Sequence, residues 1–233
     1  MTEILVPTSM VACTLDRDAV SALLSSTAAE AWHFEGCRFD GADLSGLDLR
    51  GALFVDCSFA ETSLQKTMLA GSRWKDCHAG QAQFGRADAT DARFWRCDLN
   101  NTAWTHARLS SALFSEVKLT GADFRDSLSL GLSFSDALLV GADLRGLSFR
   151  KQKIERLDMS DADLGGCDFR DAVFSGGSLR DANLKNARFE GADLRSVDLG
   201  GMRLTAVAQS LRGAVISQDQ AGALVEELGL RVH

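Results

Sequence analysis

Gly41-Ala42-Asp43-Leu44-Ser45 and, far downstream, Gly191-Ala192-Asp193-Leu194-Arg195 are two copies of one five-residue phrase. Between them the phase never slips. All 13 Phe residues, from Phe34 and Phe39 through Phe174 and Phe189, fall on the position of Leu44 when the chain is counted in fives. Of the 35 such central positions from Phe34 to Leu204, 32 carry Leu, Phe, Ile, Met or Trp, and the exceptions are Ala79, Ala89 and Ser129. An α-helix of period 3.6 or a strand of period 2 would lose that register within a few residues, so the five-residue repeat is itself the structural unit.

The residue two before each central one is mostly small, as at Ala42, Ala52, Ala82, Ala122, Ala142 and Ala192. Two inward positions per repeat are therefore fixed, and the polar remainder faces outward. With this A-(D/N)-L-x-x pattern the chain resembles the pentapeptide-repeat family over roughly residues 32–206. The resemblance implies an all-β fold, a right-handed quadrilateral parallel β-helix of just under nine coils in which each pentapeptide forms one side and four sides form a coil. Cys37, Cys57, Cys77 and Cys97 agree with four sides: they recur every 20 residues, always at the small inward position. One column of central residues runs Phe34, Phe54, Trp74, Phe94, Phe114, Phe134, Ile154, Phe174, Leu194 and forms the expected structural core. Each coil covers its neighbour, so no coil is stable alone.

The expected organisation is an N-terminal segment 1–31 with a short capping helix, the β-helix at 32–206, and a C-terminal cap and dimerisation helix at 207–233. Thr14 can cap the first helix, with Asp16 and Asp18 in its first turn and Ala19, Val20, Leu23 and Leu24 on one face. Near the other end, Ser217-Gln218-Asp219-Gln220 is a capping-box pattern, Ala221, Leu224, Val225 and Leu228 make an apolar stripe, and Gly229 can stop the helix, which is expected over about 218–228. This tail, through Leu230 and Val232, resembles the ending of the Qnr and MfpA quinolone-resistance branch. That resemblance implies a homodimer joined tail to tail through the stripe; a simple hydrophobic end cap is the competing reading.

Composition points to one soluble domain of 233 residues, 45% hydrophobic and 24% charged, with one Pro and no Tyr. No segment reaches the ~18 uninterrupted apolar residues of a membrane span. Met1-Thr2-Glu3 lacks a basic n-region, so no signal peptide and a cytoplasmic location are expected. The six cysteines read as small buried hydrophobes rather than disulfides, although neighbours in the column can come within bridging range. With no CxxC pair and with His33, His78, His106 and His233 scattered, no metal or cofactor is expected. No nucleophile elbow, phosphate loop or zinc motif is present, and carboxylates at repeating outward positions make a solvated face. An enzyme is not expected.

What remains is surface chemistry. Qnr-like proteins are regarded as mimics of duplex DNA, so the resemblance implies a protein-binding rod that docks on DNA gyrase or topoisomerase IV and modulates or protects it against quinolones or a toxin. The net charge of −7 agrees, but the repeats hold 25 acids against 22 bases, and mimicry needs the charges segregated. Asp123, Asp143 and Asp163 stack at outward positions of one face, with Arg125 and Arg145 two residues on, and are candidates for partner binding. Trp95 and Leu113, with Leu53 and Val55, project apolar groups from the Phe-rich face and are candidates of a second kind. The basic run Arg150, Lys151, Lys153, Arg156 contains Glu155 and no neighbouring exposed aromatic, so direct nucleic-acid binding is not expected. Ser129, bracketed by Leu128, Leu130 and Leu132, implies a dent or bulge that turns one leucine inward. The alternative function is a structural or adaptor module for an unrelated protein in a secretion or toxin–immunity system.

Overall fold

A side of five residues must turn a corner, and the corner residue takes a left-handed backbone, with φ of +72° at Gly46, +55° at Asp76 and +56° at Asn101. Gly, Asn and Asp tolerate that region best, which explains why the first position of the phrase favours them. Hydrogen bonds such as Ala42 N–H to the Phe39 carbonyl, 3.0 Å, and Leu47 N–H to the Leu44 carbonyl, 3.2 Å, close these turns. The other backbone groups bond between coils, as when Phe39 donates to Ser58 at 2.7 Å and Ser58 to Cys37 at 2.9 Å. The result is a four-sided parallel β-helix.

The computed structural model describes residues 8–26 and 32–232, which form two compact units divided between Ser133 and Phe134. In the first unit, β1 (Thr8–Val11), β2 (Trp32–Glu35), β3 (Leu53–Val55), β4 (Arg73–Lys75), β5 (Arg93–Trp95) and β6 (Leu113–Ser115) lie side by side in chain order, all parallel. Phe34, Phe54, Trp74, Phe94 and Phe114 are each at most 1% exposed. Their rings stack at spacings from 4.3 Å, Phe54 on Trp74, to 5.4 Å, Trp74 on Phe94. A second column, Phe84, Trp104 and Phe124, meets the first edge-on: Trp104 stands at 82° to Phe94 and 85° to Phe114. The buried indoles explain two departures from Ala at the small inward position. Ser72 and Thr102 each accept the N–H of the Trp two residues on, at 2.9 Å.

The N-terminal segment holds more than a helix. β1 pairs with β2, placing Met10 opposite Phe34, and Leu15 donates to the Arg38 carbonyl at 2.9 Å. α1 (Arg17–Ser26) follows that side. Thr14 does not cap it, because its backbone is bridged to Arg38; the side chain of Asp16 does, accepting the Ala19 N–H at 2.9 Å. Leu15 and Val20 are buried, while Ala19, Leu23 and Leu24 are half-buried.

At Ser129 the ladder continues without a bulge: Leu109 and Ser111 donate to the Leu128 and Leu130 carbonyls at 2.8 Å. Leu132 is the leucine inside, 3% exposed, and it stands at the ordinary small inward position. Leu128 and Leu130 project outward, 62% and 85% exposed.

In the second unit, β7 (Ser133–Ser135, beginning on the last residue of the first unit), β8 (Lys153–Glu155) and β9 (Val173–Ser175) repeat the strand-bearing side. Phe134, Ile154 and Phe174 are buried, and Phe149, Phe169 and Phe189 stack at 4.8 and 4.6 Å. Leu204 opens a short α2 (Leu204–Val207) instead of completing another repeat. The chain then returns to lay Val215 beside Asp193, and α3 (Gln218–Glu226) follows, with the capping box formed by Ser217 and Gln220. The Gln220 amide also donates to the Leu194 and Val197 carbonyls, at 2.8 and 2.7 Å, so this one side chain both starts α3 and satisfies backbone groups at the end of the β-helix.

All six thiols are free, and Cys37, Cys57, Cys77, Cys97 and Cys167 are buried. Burial raises the Cys37 thiol above its ordinary value and pushes Cys167 up to about 12. Because the thiolate is the reactive form, iodoacetamide at pH 8 is expected to label half-buried Cys13 alone in the folded protein and all six after denaturation. Mass spectrometry of the adducts checks this.

Candidate protein-binding faces

Among the described residues no group of three or more His, Cys, Asp or Glu could hold a metal ion, and no helix is long and apolar enough to cross a membrane. The outward side chains therefore carry the argument. Residues just before and just after a central position point out of the same side, so in the recurring phrase Asp-Leu-Arg the arginine folds back on the aspartate. Asp123 accepts both the backbone N–H of Arg125, at 2.9 Å, and its guanidinium, at 2.6 Å. Asp143 and Arg145 repeat the contact at 2.6 Å. Arg145 also lies 3.5 Å from Asp163, which accepts from Gly165 N–H and the Asn183 amide. Each of these aspartates is thus held by an arginine of its own unit, and by the turn it closes.

The same phrase at Asp168-Phe169-Arg170 is less exposed, and the Arg170 guanidinium pushes the Asp168 carboxyl down to about 2 against partial desolvation. Arg50, Arg96, Arg156 and Arg195 likewise lower Asp48, Asp76, Asp136 and Asp193. A carboxyl whose pKa falls on folding contributes its full stabilisation above the ordinary carboxylate range and loses it as the pH drops through the folded value. The urea midpoint is therefore expected to be insensitive to these groups from pH 5 to 8 and to decline between about pH 4 and about 2. Asp168→Asn should flatten part of that decline.

The basic run of the second unit is largely neutralised within the chain: Lys153 pairs with Glu155, Arg156 with Asp136, and Arg150 lies 4.0 Å from Asp171.

The strand-bearing side of the first unit differs. Trp95 is 38% exposed; its indole donates to Glu116 at 3.0 Å, with the Arg96 guanidinium 4.0 Å and the Lys75 ammonium 5.3 Å from the ring centre. Arg96 in turn grips Asp76 at 2.6 Å. Leu53, Val55 and Leu113 are half-buried beside this group. Arg73 and Arg93 stand in register on neighbouring strands. Neither takes part in an ion pair among the described residues. Reading outward apolar residues alone missed Arg73, Lys75 and Arg93; the 20-residue spacing of 73 and 93 was the available signal.

α3 ends at Glu226, short of the expected 228, and the apolar stripe divides there. Leu224 is 5% exposed, packed within its own chain, and Ala221 and Val225 are half-buried. Leu228, Leu230 and Val232 are 48%, 57% and 49% exposed.

A pentapeptide-repeat-region family model matches residues 30–104, and a model of eight pentapeptide-repeat copies matches 96–128, 133–171 and 162–201. No curated protein matches by sequence. Similar solved structures include two trypsin-treated variants of QnrB1, a plasmid-mediated fluoroquinolone resistance protein. Each is 22% identical over 97% of this chain and 98% of the other, with TM-scores of 0.62 and 0.61. Full-length QnrB1, 21% identical over 96% and 98%, gives 0.51.

Proposed function

Because the chain belongs to the pentapeptide-repeat family, we propose that it is a non-catalytic, protein-binding β-helix. Its partner in this reading is a cytoplasmic type II topoisomerase, DNA gyrase or topoisomerase IV, which it modulates or protects against quinolones or another poison. The observation that carries this reading is the likeness of fold to QnrB1, which extends over 97% of the chain. As a DNA mimic the protein would offer Asp123, Asp143 and Asp163 to a basic surface. Their arginines do not forbid it: an exposed ion pair contributes only about 0–1 kcal/mol, so a basic partner can displace them. Titrating the purified protein into a gyrase supercoiling assay, with and without a fluoroquinolone, tests the reading. Inhibition or drug protection at micromolar or lower concentration is expected, and inactivity on gyrase and topoisomerase IV alike would overturn it.

A second reading, an adaptor for an unrelated protein, is favoured by one observation: Asp123 and Asp143 are each paired with an arginine two residues on, while the Trp95 side presents apolar and basic groups.

In either reading α3 and the residues that follow it supply a homodimer contact. Ala221, Leu224 and Val225 shape the helix against its own chain, and Leu228, Leu230 and Val232 face outward. Leu224→Asp would damage the cap itself, so the informative variant is the double change Leu228→Glu and Leu230→Glu. It is expected to halve the mass seen by light scattering without lowering the melting temperature. An unchanged mass would remove the dimer role from these residues.

A further inference from the structure

On the strand-bearing side of the first unit two arginines stand opposite each other, and neither takes part in an ion pair among the described residues. Successive strands β3 to β6 present Leu53 and Val55, then Arg73 and Lys75, then Arg93 and Trp95, then Leu113 and Ser115. These rows contain three bases and no acid. Of the acids at the flanking corners, Asp76 is held by Arg96 and also feels Lys75, and Glu116 accepts from the Trp95 indole; Asp56 and Asp91 form no ion pair with Arg73 or Arg93 among the described residues. Arg73 and Arg93 sit directly opposite each other, one strand spacing of ~4.8 Å apart, where like charges repel. Folding gains nothing from that pair, and an opposite charge on either strand would serve it better. A partner carrying carboxylates would relieve the repulsion.

The geometry points to this side as a docking surface for an acidic, amphipathic segment of a protein partner. Two observations select protein over nucleic acid. Trp95 already has the Arg96 guanidinium 4.0 Å from its ring centre, which obstructs base stacking there. The bases are also flanked by Leu53, Val55 and Leu113, which match aliphatic side chains and have no use for phosphates. The order along the rows is apolar, basic, basic with aromatic, apolar. A helix lying across the strands repeats every ~5.4 Å, close to the ~4.8 Å strand spacing, so Leu, Glu, Glu and Leu on successive turns drift by only ~2 Å over the patch. The inference goes beyond the topoisomerase reading and does not rest on it: a basic and apolar side is not the part of a DNA mimic that imitates DNA.

Trp95 reports on the site, because Trp32, Trp74 and Trp104 are at most 5% exposed. The full chain is titrated, with Trp emission as the readout, with a synthetic peptide carrying Leu, Glu, Glu and Leu on successive helical turns. The same peptide with Lys for Glu, and an oligothymidylate, are parallel probes. Saturable binding of the acidic peptide is expected, weakened at least ~tenfold in the double variant Arg73→Glu and Arg93→Glu, with the Lys peptide inert. The single variant Arg73→Glu, in which an opposite-charge pair replaces the like-charge one, should melt no earlier than wild type yet bind less tightly, an outcome that a purely structural role for Arg73 would not produce. Absence of acidic-peptide binding, equal binding by the double variant, tighter binding of the oligonucleotide, or self-association abolished by Arg73→Glu would each overturn the proposal. The supercoiling assay is decided separately, so the two readings fail independently.

Discussion

Phe94→Ala is expected to lower the free energy of unfolding by about 3–5 kcal/mol. The ring is 1% exposed, stacked between Trp74 at 5.4 Å and Phe114 at 4.7 Å, with Phe84 and Trp104 edge-on at 88° and 82°. Truncation removes that burial and leaves a cavity. Collapse into it is restricted, because the backbone on each side is pinned by inter-coil bonds such as Arg93 N–H to the Ser72 carbonyl and Leu113 N–H to Ala92, 2.9 and 3.0 Å. The loss should therefore fall near the upper end of the range. Urea unfolding with an unchanged m-value measures it, and a neutral result would mean that the five-residue register is misassigned.

Gly177→Ala is expected to cost about 3 kcal/mol or more, combining left-handed strain with overpacking of about 1–3 kcal/mol each. The substitution looks conservative in sequence, since Ala is the usual residue at that inward position. The structure opposes it: φ is +95°, and a Cβ would lie 2.2 Å from the Leu157 carbonyl oxygen and 2.9 Å from its nitrogen. These are backbone atoms of the adjacent coil, and that oxygen already accepts the Ser178 N–H at 2.9 Å, so relief would break the ladder. Gly46→Ala isolates the strain component. It has φ of +72° with nothing within 4 Å of the added carbon, and should cost only about 1–2 kcal/mol. Equal costs at the two sites would show that the close approach at Gly177 is not real.

The coil was legible because a central apolar residue every five positions is a burial requirement, and Phe34 through Leu199 obey it with few exceptions. β1 was not, because α1 separates it from the repeats: Met10 faces Phe34 across 24 residues instead of the 20 that separate Phe34 from Phe54, so the count misses it. The cap at Thr14 failed for a related reason. Its backbone belongs to a coil side, leaving the helix start to Asp16. α3 was legible from the Ser217 and Gln220 pairing, yet the periodicity of its stripe could not say which apolar residues its own chain would cover. Outward positions are unconstrained by the period. The two-residue spacing signalled the pairing of Asp123 with Arg125 and of Asp143 with Arg145, and the 20-residue spacing the Arg73–Arg93 juxtaposition. Which outward groups find partners on the next coil, as Arg96 finds Asp76, emerges only once the coil is closed into four sides.

The proposal that this protein acts by binding a topoisomerase through its surface is tested most directly by equilibrium binding. The full chain, fluorescently labelled at Cys13, is titrated with purified gyrase and with topoisomerase IV while anisotropy is followed, and duplex DNA is added as competitor. A saturable complex at micromolar or lower enzyme that duplex DNA displaces is the predicted result. No complex with either enzyme, or one indifferent to DNA, would contradict the DNA-mimic account and transfer the function to an adaptor role.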